Sequence, residues 1–172
     1  MWRAAAVGLV GVLAAGVAGW GSAAPEFVSK RYAYRFAPGE GYYAKFASTQ
    51  WRGDFPRGTE PGVEAFLDWN DRKFIVAALR IPASMTLPLW KANHVARMQT
   101  QCNRAHAFRN STLGGAPAKE FLSVCPEYDV IVLTAIHASR GYIFQFVSPT
   151  ANSDAADRRA YEVGRRTFRF TP

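Results

Sequence analysis

The sequence predicts one α+β domain, an antiparallel sheet partly covered by helices, and three observations carry that expectation. Apolar residues alternate with period two in several stretches separated by short turns. Consecutive stretches of this kind form hairpins, hence an antiparallel sheet. Two further stretches carry apolar residues at helical spacing, and such faces need a sheet to cover.

The elements follow in order. Tyr32, Tyr34 and Phe36 alternate with Ala33 and Arg35, Pro38-Gly39-Glu40-Gly41 breaks the run, and Tyr42, Ala44 and Phe46 resume it. The expectation is a first hairpin made of these two strands. QWRGDFPRGTEPG then reads as a loop, and the RGD at Arg52 to Asp54 is a tripeptide common by chance. A second hairpin follows: Val63, Ala65, Leu67 and Trp69 on one face with Glu64, Asp68 and Asn70 on the other, a turn at Asn70-Asp71-Arg72, and the apolar FIVAALRI from Phe74 to Ile81. Thr86 is a suitable N-cap and Pro88 sits in the first turn of a helix, where a missing amide is tolerated. Leu87, Trp90, His94, Met98 and Cys102 fall on one side of it. Two strands around Gly114-Gly115 come next, then YDVIVLTAIH, the turn ASRG and YIFQFV. A last helix starts near Ser153, with Asp154 and Asp157 at its positive end and Arg165 and Arg166 at its negative end. RRTFRF closes the chain as a strand or extended tail.

The N-terminus has the layout of a secretory signal peptide: Arg3, an uncharged run from Ala4 to Trp20, and small residues around Ala23. Cleavage after Ala23 is expected, giving a signal peptide over 1–23 and a single domain over 24–172. The alternative is a retained anchor, although the run is shorter than the ~20 apolar residues of a spanning helix. The exported part carries 20 basic against 13 acidic residues. That surplus favours anionic partners, and export argues against nucleic acid. Cys102 and Cys125 are the two cysteines. In an oxidising compartment an even count suggests a disulfide; metal-binding or redox thiols are the rival reading, without CxxC spacing to support it.

Residues that carry chemistry are sparse. TLGGAPAKEFLSVC has two glycines and a lysine, but Pro117 removes an amide, no helix N-terminus follows, and the spacing is wrong for a phosphate loop. A hairpin turn is expected there. His94, His106 and His137 are the only imidazoles. His137 lies near Ser139 without a nucleophile-elbow context, and His94 falls within an apolar helical face. No metal-ligand spacing is present, and nothing selects a carboxylate pair for hydrolysis. No catalytic residue, metal or cofactor is assigned. The most distinctive charge feature is DRRAYEVGRRTFRF. Arg158 with Arg165, and Arg159 with Arg166, project from nearly one side of the last helix, and with Arg169 they make a candidate surface for an anionic partner; the bland alternative is a solvated face.

Read together, YRF at 34–36, the helix from Leu87, LGGAPAKEF at 113–121, YDVIVLTAIHASRGYIFQF and FRF at 168–170 resemble the Mog1/PsbP-like superfamily across nearly all of the exported chain. The resemblance implies an αβα sandwich, an antiparallel sheet between helices, and a binding or assembly module without catalytic residues. It transfers no functional residue. The expectation is an exported, monomeric, non-enzymatic module that binds an envelope protein or other anionic envelope component and keeps no membrane anchor once cleaved. The alternative is a small secreted hydrolase or ligand carrier with a pocket between sheet and helix.

Overall fold

The computed structural model describes residues 26–39, 43–46, 62–67, 72–100, 102, 104–149 and 155–172. The expected signal peptide over 1–23, the RGD-containing loop, Trp69 and the expected helix start at Ser153 and Asp154 lie outside the described residues.

Among the described residues, seven antiparallel strands form the main sheet: β3 (Tyr43–Phe46), β4 (Gly62–Leu67), β5 (Lys73–Arg80), β6 (Arg104–Leu113), β7 (Ala116–Val124), β8 (Asp129–His137) and β9 (Arg140–Ser148), in the order β3-β4-β5-β9-β8-β7-β6. A second sheet of three short strands, β1 (Phe27–Ser29), β2 (Tyr34–Phe36) and β10 (Arg169–Phe170), runs β1-β2-β10. Helix α1 (Leu87–Met98) covers one face of the main sheet. Helix α2 (Ala155–Thr167) and the small sheet cover the other. The result is the expected α+β sandwich.

Alternation along each central strand divides the core into two clusters. Along β9, Tyr142, Phe144 and Phe146 join the α2-side cluster while Ile143 joins the α1-side cluster, and Phe74 and Val76 oppose Ala77 and Leu79 along β5 in the same way across the sheet plane. The Thr86 side chain caps α1 by accepting from the Leu89 amide, and Trp90, His94 and Met98 are its buried stripe. In α2 the stripe is Asp157, Tyr161 and Gly164. Gly164 allows a close approach: a Cβ there would stand 2.6 Å from the Phe74 ring. Gly114 and Gly115 have φ of 57° and 88° and make the β6–β7 turn, as a two-residue hairpin with both central residues left-handed requires.

The first expected hairpin is corrected. β2 and β3 belong to different sheets: β2 pairs with β1 and β10, and β3 pairs with β4. Tyr34 and Phe36 are both fully buried, and the aromatic surface that covers them comes from the main sheet and the C-terminus. Phe36 meets Phe74 and Phe144 edge-on, and Tyr34 stacks on Phe168 at 5.2 Å. The polar outer face expected for β4 also needs revision, because Glu64 is buried along with Val63.

Candidate functional site

Cys102 follows α1 and Cys125 follows β7, and their sulfurs are bonded at 2.03 Å with Cα atoms 4.0 Å apart. The bridge answers the rival thiol reading for these two residues and ties the end of α1 to the sheet.

The three histidines lie in different surroundings. His94 is buried on the α1 face, with its Nε2 3.0 Å from Nε2 of Gln145 on β9. Burial, with Arg97 adding to it, lowers its pKa to about 4, so the ring is neutral in the fold and accepts from the carboxamide. The unfolded chain protonates near pH 6.5, so the folded state binds fewer protons between the two values. His94 therefore contributes stability above pH 6.5 that is lost as pH falls towards 4. Urea unfolding at pH 7 and pH 4.5 is expected to show a smaller loss on acidification in His94→Gln than in the parent, by about 1.4 kcal/mol for each pH unit crossed below 6.5. His137 stacks on Phe170 at 4.1 Å. The Nδ1 of His106 is buried without a hydrogen-bond partner among the described residues.

Among the described residues, three buried carboxylates join the layers on the α2 face. Glu64 of β4 accepts from Ser29 of β1 and from the Tyr34 hydroxyl of β2. Burial raises the pKa of Glu64, against the two hydrogen bonds that lower it, and raises that of Tyr34 well above its ordinary value, with the neighbouring Glu64 charge adding to the effect. Asp157 of α2 accepts from Arg72 and from Ser148 at the end of β9. Glu120 of β7 accepts from the Tyr161 hydroxyl at 2.8 Å and pairs with Arg109 of β6. Burial, then the Glu120 charge, keeps the Tyr161 phenol protonated. Each carboxylate thus holds a different segment against the sheet. These groups escaped the sequence reading because each carboxylate has a partner far along the chain: 30 residues for Tyr34 and Glu64, 41 for Tyr161 and Glu120, and 85 for Arg72 and Asp157.

The five arginines of the candidate surface have different surroundings. Arg159 and Arg166 are exposed on the outer side of α2. Arg165 donates to Glu162 through Nε and Nη2, and Arg166 lies 3.7 Å from the same carboxylate. Arg169 donates to the carbonyls of Arg166 and Phe168. Arg158, three residues before Tyr161, is exposed and turns towards the β6 edge, where it lines a cavity of about 120 Å³ with Ala107, Arg109, Glu120, Leu122 and Ile131. Among the described residues no three His, Cys, Asp or Glu side chains group as metal ligands, and no helix is long and apolar enough to cross a membrane.

No family model matches the chain, and no curated protein matches it. A search of solved structures does find a similar one: the solution structure of cyanobacterial PsbP (CyanoP) from Synechocystis sp. PCC 6803, with a TM-score of 0.59 over 91% of this chain and 98% of that one, at 16% identity. The fold is PsbP-like.

Proposed function

We propose that this chain, built on a PsbP-like fold, is an exported, non-enzymatic binding or assembly module of the cell envelope, and that the outer side of α2 receives an anionic partner. The observation that carries this reading is the division of labour on α2. Asp157, Tyr161 and Gly164 commit one side to the sheet, while Arg159 and Arg166 face outward and Arg158 is exposed on the flank nearest β6. Glu162 offsets only part of that charge. Long-range attraction of this kind raises encounter rates with acidic surfaces and weakens with salt. The N-terminal layout supports export, and a disulfide fits an oxidising compartment.

The test is crosslinking in the native envelope. Replacing Arg158, Arg159, Arg165 and Arg166 together with glutamine is expected to reduce capture of the crosslinked species by about tenfold or more, the effect of losing ~1.4 kcal/mol, with the far-ultraviolet spectrum unchanged. Capture at the parental level would sink the reading. The hydrolase alternative requires a histidine beside a carboxylate or hydroxyl in an open cleft. The surroundings of His94 and His137 described above give it no support.

A further inference from the structure

Strand β6 forms one edge of the main sheet and carries Arg104, His106 and Arg109 with no acidic side chain. Its register shifts between the pairs His106–Leu122 and Arg109–Glu120, so Ala107 and Phe108 stand opposite Phe121 alone. This is a β-bulge, and Ala107 enters it at φ 55°, a conformation disfavoured for residues other than glycine. The extra residue reverses the faces that follow. Plain alternation would set Phe108 opposite Glu120. Instead Phe108 packs on the α1 side, 5.8 Å from the Phe121 ring with Lys91 over its face, and Arg109 reaches the α2 side beside Glu120. The strain thus places an arginine at the mouth of the cavity that Arg158 borders from α2.

We infer that this cavity is an oxyanion-binding site sized for the carboxylate of one acidic side chain. A volume of about 120 Å³ holds several waters, yet is below the roughly 300–1,000 Å³ of pockets that enclose whole cofactors or drug-sized ligands. Two guanidinium groups stand against one buried carboxylate, leaving a single positive charge. That balance suits a monoanion, whereas doubly charged phosphate would meet Glu120 with one charge uncompensated. Glu120 is held by Tyr161 and orients Arg109, whose planar fork has further donors to offer a carboxylate. Leu122 and Ile131 supply apolar walls for the methylenes of an acidic side chain. The inference deepens the envelope-module reading by naming the chemistry of its partner, and rests on that reading only for the source of the acid.

The test is an NMR titration of the purified protein with N-acetyl-glutamate N-methylamide, its glutamine counterpart and inorganic phosphate. Saturable shifts at the Ala107 and Leu122 amides are expected with the glutamate probe and not with the glutamine one. Arg158→Gln is expected to weaken the glutamate probe about tenfold, as the loss of one charge-assisted hydrogen bond implies, while Arg80→Gln, at the exposed end of β5 and away from β6 and β7 in the sheet, leaves it unchanged. Equal response to both amides, tighter binding of phosphate than of glutamate, or indifference to Arg158→Gln would overturn the assignment. Because this readout uses no partner, the pocket can succeed where envelope capture fails, and the reverse.

Discussion

Replacing Cys102 and Cys125 with serine is expected to lower the unfolding free energy by about 3 kcal/mol, the loop-closure entropy returned to the unfolded chain when a link of this span is removed. The sequence separation is 23. Both cysteines are buried in the α1-side cluster with Trp90, Met98 and Phe121, so the bond also holds the C-terminal end of α1 against β7. Without it, that junction rests on side-chain packing and on backbone bonds such as the Cys102 amide to the Met98 carbonyl at 2.7 Å. Guanidinium denaturation of the oxidised protein and the double-serine variant measures the difference. Thiol titration of the parent gives an independent check: no thiol reacts in denaturant before reduction, and two react afterwards. A loss below about 1 kcal/mol would place the crosslink outside the usual range for native bridges.

A larger loss, about 3–5 kcal/mol, is expected for Phe168→Ala, because truncating a fully buried aromatic removes its transfer free energy and leaves a cavity. Phe168 is 0% exposed. Its ring stacks on Tyr34 at 5.2 Å, meets Phe144 edge-on at 5.7 Å and Phe170 at 5.3 Å. It therefore joins the small sheet, the main sheet and the C-terminal strand at one point. Hydrogen exchange gives the readout a general loss of core volume would not: the β2–β10 pairing, Arg35 with Arg169 and Tyr34 with Phe170, is expected to lose protection before β8 and β9. Retained protection there, with stability lowered by less than about 1 kcal/mol, would show that the small sheet does not depend on this ring.

These outcomes bear on what could be read before the fold was known. The β6–β7 and β8–β9 hairpins were legible because strand alternation and turn chemistry are local: two glycines at the first turn accept left-handed φ, and YDVIVLTAIH and YIFQFV each fit a strand with both faces covered. Helix α1 was legible for the same reason, from Thr86, Pro88 and the Trp90, His94, Met98 spacing. The partner of YRF was not. Alternation assigned Tyr34 and Phe36 to a buried face but is silent on which strand pairs with theirs, and the nearest segment in sequence was the wrong one. β1 was missed because three residues carry too little periodicity. The bulge in β6 was hidden because an alanine, rather than a glycine, occupies its left-handed position, so Arg109 and the cavity beside it had no signal.

The sequence by itself determined the α+β class, the helices, the long hairpins and a strongly basic C-terminal helix, and suggested the pairing of the two cysteines, because each depends on periodicity, turn residues or residue count. Tertiary structure alone decided that β2 joins β10 rather than β3, that Glu64, Glu120 and Asp157 are buried anchors, and that Arg109 and Arg158 meet at one cavity. Those outcomes depend on contacts between segments tens of residues apart, whose free energy comes from burying aromatic surface and satisfying buried charge. Such contacts leave no local pattern in the chain.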